Sequence, residues 1–216
     1  MIIHNLGDQP SIINQFVKEI RCTTIQKDRL RFRKNMERIG EILAYEMSKT
    51  FYFEEEAIQT PLGSKEMAVP KEEIVLCSIL RAGIPLHQGI LNYFDQVENA
   101  IISAYRIPLE HNQFKIDVEY LATPELEGKT LVLADPMLAT GLTMENVYHA
   151  LLEVGKPKQI HIASVIGAKP GIELVEKVFP KNTHLWIATV DDRLNDKGYI
   201  VPGLGDAGDL CFGPRL

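Results

Sequence analysis

Residues 130–143 read TLVLADPMLATGLT. Leu131, Val132, Leu133 and Ala134 make a continuous apolar run, the pattern of a strand buried on both faces. Asp135-Pro136 ends the run, Ala139-Thr140-Gly141 makes a small-residue turn, and MENVYHALLEV (144–154) continues with helical spacing. Strand, carboxylate-bearing turn and helix in succession form the repeating unit of a parallel α/β sheet. In such a sheet, ligands lie beyond the carboxyl ends of the strands. Asp135 stands at such an end.

The same alternation extends in both directions. Strands are expected at 74–80 (IVLCSIL), 100–105 (AIISAY), 160–166 (IHIASVI) and 184–190 (HLWIATV), with helices at 84–94, 143–154 and 171–178. A further helix is expected over 24–50, where Leu30, Met36, Ile39, Leu43 and Met47 recur at three- and four-residue spacings. The charged run RLRFRKN (29–35) reads as the solvated face of that helix. FKIDVEYL (114–121) alternates in period two and reads as a hairpin or flap. The expected fold is α/β, a central, mostly parallel five-stranded sheet flanked by helices. No linker, repeat or low-complexity stretch interrupts 1–216, which is read as one domain. The tail, 191–216, is rich in Gly, Asp and Pro, and too long for an idle loop.

Composition narrows the partners. The 216 residues are 45% hydrophobic and carry a formal net charge of −6, with an isoelectric point near 5.6. Nothing in that balance draws the chain to nucleic acid or to an anionic membrane, so an anionic ligand needs a local site. Cys22, Cys77 and Cys211 are scattered and odd in number, which reads as buried thiols in a reducing compartment. The six histidines show no metal-ligand spacing. MIIHNLGDQP at the N-terminus is not a signal peptide and no apolar run approaches a membrane span, so a cytoplasmic location is expected.

Three stretches carry ligand chemistry. In the opening one, Gly141 allows close backbone approach, the helix that follows offers unpaired N–H groups, and Thr140 and Thr143 add hydroxyls, a set suited to phosphate. A plain strand–turn–helix connection with Thr143 as N-cap is the alternative. In SILRAGIP (78–85), Arg81 directly follows a strand, and Arg106 in AYRIP (104–108) is placed alike. Each can make a two-pronged contact with phosphate oxygens, or equally a surface ion pair. In GYIVPGLGDAGD (198–209), small residues leave backbone N–H and C=O groups free to face a flat ligand.

DPMLATG, ILRAG, AYR and above all LND followed by GYIVPGLGDAGD and FG resemble the uracil phosphoribosyltransferases, a type I phosphoribosyltransferase family, from about residue 31 to the C-terminus. The resemblance implies a type I phosphoribosyltransferase-like fold with a hairpin flap and a small C-terminal hood. It implies transfer of a phosphoribosyl group from 5-phosphoribosyl-1-diphosphate (PRPP) to uracil, giving UMP and diphosphate. Mg²⁺ would be bound mainly through PRPP, and the chain would form a homodimer or higher homo-oligomer. PRPP would meet Arg81, Arg106, Asp135, Asp206 and the loop Pro136, Met137, Leu138, Ala139, Thr140, Gly141, Leu142 and Thr143. Uracil would meet Ile200, Gly205, Asp206 and Ala207. Asp135, Arg106 and Asp206 would serve catalysis. The chain departs from the family pattern at Leu142 (ATGLT where the family usually reads ATGGS), at IPLHQG (84–89), at IPLEHNQ (107–113) and at the ending FGPRL. The second reading is a weakly catalytic or non-catalytic pyrimidine-nucleotide sensor of the same fold, against which the acidic balance weighs.

Overall fold

The computed structural model describes residues 1–108 and 114–214, with the backbone alone described at 105–108 and 114–117. The strands are β1 (Ile2–Asn5), β2 (Phe53–Thr60), β3 (Gly63–Pro70), β4 (Ile74–Leu80), β5 (Glu98–Pro108) and β6 (Phe114–Ala122). They continue with β7 (Thr130–Ala134), β8 (Met137–Leu138), β9 (Gln159–Ala168), β10 (His184–Asp191), β11 (Arg193–Leu194) and β12 (Ile200–Val201). The helices are α1 (Ile12–Arg21), α2 (Arg29–Ser48), α3 (Gly83–Leu91), α4 (Leu142–Leu152), α5 (Lys169–Val178) and α6 (Ala207–Phe212).

Among the described residues the central sheet has eight strands, in the order β1-β10-β9-β7-β4-β5-β6, with β8 beside β9. Its pairings are parallel except β5 with β6. All five expected strands are present. The expected count is corrected from five to eight, because β1 adds an edge, β6 returns antiparallel, and β8 forms where a loop was expected. Side-chain alternation between two covered faces explains why the inner strands are mostly apolar. Ile74, Leu76, Val132 and Ala134 pack on one face with residues of α1, α2 and α3, including Ile13, Met36 and Leu86. Val75, Cys77, Leu131 and Leu133 pack on the other with residues of α4 and α5, including Val147 and Val175.

The direction of winding places the site. From β4 the chain steps by α3 to β5 on one side, then returns to β7 on the other and proceeds through α4 to β9 and α5 to β10. The winding reverses between β4 and β7, and a crevice opens there beyond the carboxyl ends of the two strands.

Helix α2 begins at Arg29 instead of residue 24, because Asp28 caps it by accepting from the Arg31 N–H at 3.1 Å. Outside the central sheet, α1, which buries Ile13, Val17 and Ile20, and the β2–β3 hairpin were not expected either. Residues 109–113, which hold most of the departing IPLEHNQ segment and the turn of the expected flap, lie outside the described residues, as do 215–216.

Candidate active site

The crevice is a cleft of about 390 Å³. Strand β4 delivers Arg81 to it, strand β7 delivers Asp135, and Met137, Ala139 and Thr143 follow along the next turn and helix. The far wall is the C-terminal segment, with Tyr199, Ile200, Gly205, Asp206, Ala207 and Asp209. Three stretches separated by more than fifty residues of chain thus meet at one place.

The turn after β7 is fixed by its small residues. Gly141 has φ +83°, and a Cβ there would lie 2.9 Å from the Gly171 carbonyl and 3.1 Å from Leu174. It is the residue preceding α4, and no side chain caps the helix. Thr143 is therefore not an N-cap. It sits inside the helix and lines the cleft. Leu142 is the first helical residue, half-buried and outside the cleft lining. Thr140 Oγ1 accepts from the Leu142 N–H at 3.4 Å. Pro136 and Leu138 are buried, and the Pro136 carbonyl accepts from the N–H groups of Val165 and Ile166. Asp135 Oδ1 accepts from the Met137 N–H at 3.3 Å, while its carbonyl accepts from Ser164 Oγ at 2.7 Å.

The hood is more ordered than its composition suggests. β11 and β12 form an antiparallel pair, with Arg193 opposite Val201. Asn195 closes their turn by accepting from the N–H groups of Lys197 and Tyr199, each at 3.0 Å. Asp206 caps α6 by accepting from the Asp209 N–H at 2.9 Å. Arg81 Nη2 donates to Asp209 Oδ1 at 3.2 Å and to the Gly213 carbonyl at 3.1 Å. The arginine end of β4 is thereby tied to the hood. The Leu80–Arg81 peptide bond is cis.

Basic residues of α2 also reach this region. Arg33 Nη1 donates to the Cys211 carbonyl at 2.7 Å, so RLRFRKN is not solely a solvated face. Burial pushes the thiols of Cys77 and Cys211 up to about 12. Cys22 is only half-buried, and its Sγ lies 3.2 Å from Thr24 Oγ1, which corrects the expectation of three buried thiols.

Of the residues singled out from sequence, Arg81, Asp135, Met137, Ala139, Thr143, Ile200, Gly205, Asp206 and Ala207 line the cleft. Pro136, Leu138, Thr140, Gly141 and Leu142 support it from behind. Arg106 lies in β5, opposite Ile116, and its side chain falls outside the described residues. Asp209, Gly208 and Tyr199 were not singled out, although all three lie within the GYIVPGLGDAGD stretch. Among the described residues no group of three or more His, Cys, Asp or Glu side chains could hold a metal ion. Asp135, Asp206 and Asp209 do present carboxylates along the cleft, donors of the hard-oxygen type that Mg²⁺ takes singly alongside a substrate's own oxygens.

The family model described as uracil phosphoribosyltransferase matches residues 9–214. A uracil phosphoribosyltransferase of Porphyromonas gingivalis is 51% identical over 215 residues, covering 100% of this chain and 99% of the relative. One of Methanothermobacter thermautotrophicus is 38% identical over 204 residues, covering 94% and 92%. Among solved structures, the AQ2163 protein of Aquifex aeolicus superposes with a TM-score of 0.85 at 33% identity over 98% of both chains. A hypoxanthine phosphoribosyltransferase of Staphylococcus aureus shares the fold at a TM-score of 0.51 and 11% identity, over 75% and 76% of the two chains.

Proposed function

Because the chain belongs to the uracil phosphoribosyltransferase family, we propose that the cleft at the β4–β7 crevice is where uracil and PRPP become UMP and diphosphate, a reaction of pyrimidine salvage. The observation that carries this reading is the convergence of Arg81, Asp135 and Thr143 with the backbone of 200–207 on one cleft. A charged, hydroxyl-bearing wall faces a wall made largely of main chain. The first suits a sugar phosphate and the second a planar base with alternating acceptors and donors.

In this reading Asp135 accepts hydrogen bonds from the ribose hydroxyls. The turn from Pro136 to Thr143 cradles the 5′-phosphate through backbone N–H groups, helped by the hydroxyls of Thr140 and Thr143. Arg81 and Arg106 hold the diphosphate and offset its charge as it leaves. Ile200, Gly205 and Ala207 bind uracil through main-chain groups. Asp206 reaches toward PRPP while its Oδ1 accepts from the Asp209 N–H. The C1–O bond to diphosphate breaks as the bond from uracil N1 to C1 forms, and the N1 proton leaves. Positive charge gathers on the ribose in the transition state, so positioning and electrostatics supply most of the acceleration. Mg²⁺ would be held chiefly by PRPP, with Asp135, Asp206 or Asp209 as the nearby carboxylates of the cleft, and would supply positive charge beside the diphosphate.

We read residues 1–216 as one phosphoribosyltransferase domain acting in the cytoplasm; no described helix is long and apolar enough to cross a membrane. The partner in solution is a second copy of the chain. The β2–β3 hairpin is exposed along nearly its whole length and presents Phe53, Ile58, Leu62 and Met67 to solvent, a form that a two-stranded ribbon does not sustain alone. Light scattering that gives a monomer would remove this assignment.

The activity is tested by incubating the protein with labelled uracil, PRPP and Mg²⁺ and resolving the products. UMP should form only when all three are present, and uracil should be preferred over cytosine by up to ~10⁴-fold, because cytosine reverses the donor and acceptor at N3 and C4. Uracil bound without turnover would reject the enzyme reading. Equal use of cytosine would reject a pocket read through backbone.

A further inference from the structure

The turn that follows β12 contains Gly203 at φ +61° and Gly205 at φ +97°. Two glycines among three residues give it little rigidity of its own. Gly203 cannot be replaced by a stiffer residue, since a Cβ there would lie 2.1 Å from the Ile200 carbonyl. Yet a base pocket built from backbone needs its N–H groups held in fixed directions.

The restraint comes from the end of β10 and from the opposite end of the chain. Gly203 N–H donates to Asp191 Oδ2 at 2.9 Å, and the Gly203 carbonyl accepts from Arg21 Nη1 at 3.2 Å. The Leu204 carbonyl accepts from Gln26 Nε2 at 3.1 Å. Three successive peptides are thus pinned. Arg21 also grips both oxygens of Asp191, at 2.8 and 2.9 Å, and donates to Thr189 Oγ1 at 3.2 Å. Gln26 is anchored in turn by donating to the Ile20 carbonyl at 2.7 Å, the end of α1. None of Arg21, Gln26 and Asp191 lines the cleft.

Geometry links these pins to the ligand. In a trans peptide the C=O and the following N–H point in opposite directions. With the Leu204 carbonyl drawn toward Gln26, the Gly205 N–H is turned the other way, and Gly205 lines the cleft. We propose that Arg21, Asp191 and Gln26 act as positioning residues that aim the Gly203–Gly205 main chain at the base, and so set affinity and selectivity for uracil without touching it. This inference rests on the reading of the cleft as the uracil pocket.

The test uses steady-state kinetics of Gln26→Met, Arg21→Ala and Arg21→Lys, with each substrate varied against saturating partner. Gln26→Met keeps side-chain length and removes the carboxamide, and with it both Nε2 hydrogen bonds. It should raise KM for uracil about 5- to 20-fold while kcat and KM for PRPP stay within about twofold, and it should narrow the preference for uracil over cytosine. Arg21→Ala should shift the same constants further, and Arg21→Lys should recover part of the loss by restoring one donor. A general loosening of the fold would instead move both substrates together. Folded variants with an unshifted uracil KM, or with equal shifts for both substrates, overturn the proposal. Should Arg21→Ala fail to fold, Gln26→Met decides alone. If the unaltered protein shows no saturable use of uracil, the pocket assignment fails and this inference with it. Normal kinetics of the unaltered protein beside indifferent variants overturns only the positioning role of Arg21, Asp191 and Gln26.

Discussion

Arg81 and Asp209, 128 positions apart in the chain, meet at 3.2 Å in the lining of the cleft. The same Arg81 nitrogen also donates to the Gly213 carbonyl. Arg81 thus stands between the two halves of the site, on the strand end assigned to diphosphate and bonded to the segment assigned to uracil. Arg81→Ala should lower kcat/KM for PRPP about 10- to 100-fold, the loss expected for a charge-assisted contact. It should also raise KM for uracil several-fold, since the hood loses its tie to β4. The pair itself is a third to a half exposed, so stability should change by only about 1 kcal/mol. Initial rates with each substrate varied, beside a melting curve, check all three. An unchanged uracil KM would show that the tie is not used.

Asp135→Asn isolates the proposed ribose contact. A carboxylate accepts two strong hydrogen bonds, whereas an amide offers one acceptor and a misplaced donor. The Met137 N–H can still bond to the amide oxygen, so the turn after β7 should hold. We expect kcat/KM for PRPP to fall roughly ten- to a hundred-fold, about 1.5–3 kcal/mol, with uracil binding little altered. A folded variant with normal PRPP kinetics would remove Asp135 from the site.

The inner strands and the helices between them were legible because each obeys one simple period. Ile74–Leu80 is apolar but for the buried Ser78, and Thr130–Ala134 is apolar after Thr130, since parallel strands under helices on both faces have no solvent side. The β2–β3 hairpin was not legible, because its strands pack on no core and FEEEAIQT carries no buried face to impose a pattern. The site followed the same division. Arg81 and Asp135 could be placed from strand ends alone. Arg21 and Gln26 could not, because they act on the site through backbone carbonyls and carry no local motif. Arg33 reads as one more solvated charge in RLRFRKN, because nothing local marks its bond to the Cys211 carbonyl.

Leu142 and Gly141 make a contrasting pair. Leu142 departs from the family pattern, yet it opens α4 in a helical conformation and stands outside the cleft lining. Leu142→Gly should cost about 1–2 kcal/mol through helix propensity and partial burial, with KM for PRPP within about twofold. Gly141 at φ +83° has no such freedom. Gly141→Ala should cost about 2 kcal/mol in backbone strain and also press on Gly171 and Leu174, displacing the phosphate turn and raising KM for PRPP. Urea unfolding and PRPP titration of both variants check the contrast. A tenfold gain in PRPP affinity from Leu142→Gly would instead show that the leucine obstructs the phosphate.

The last prediction concerns acid. His161 is buried and accepts from Trp186 Nε1 at 2.9 Å through Nδ1, a bond that needs a ring unprotonated at that atom. Burial first, and the neighbouring charges of His184 and His4 after it, push its pKa down to about 3; Glu72 opposes them. Burial also lowers His4, against Glu46, and His184 beside it. A histidine lowered in the folded state takes its proton more readily when unfolded. Above the ordinary value of 6.5 both states are neutral and the group contributes nothing. Between 6.5 and about 3 the unfolded chain alone gains the proton, so stability falls as pH falls. From pH 6.5 to 5 His161 alone should cost about 2 kcal/mol, at roughly 1.4 kcal/mol per unit. The carboxylates lowered in the folded state, Glu19 held by Asn35 and Gln15 at about 2 and Asp191 beside Arg21, lose their stabilisation only as pH falls through their ordinary values of 4.5 and 3.8, below the span from pH 7 to 5. Urea midpoints followed by Trp186 fluorescence at pH 7, 6 and 5 measure the slope. His161→Gln should be less stable at pH 7 but lose markedly less between pH 7 and 5. An equal slope in the two proteins would mean that His161 contributes nothing to the loss of stability in acid.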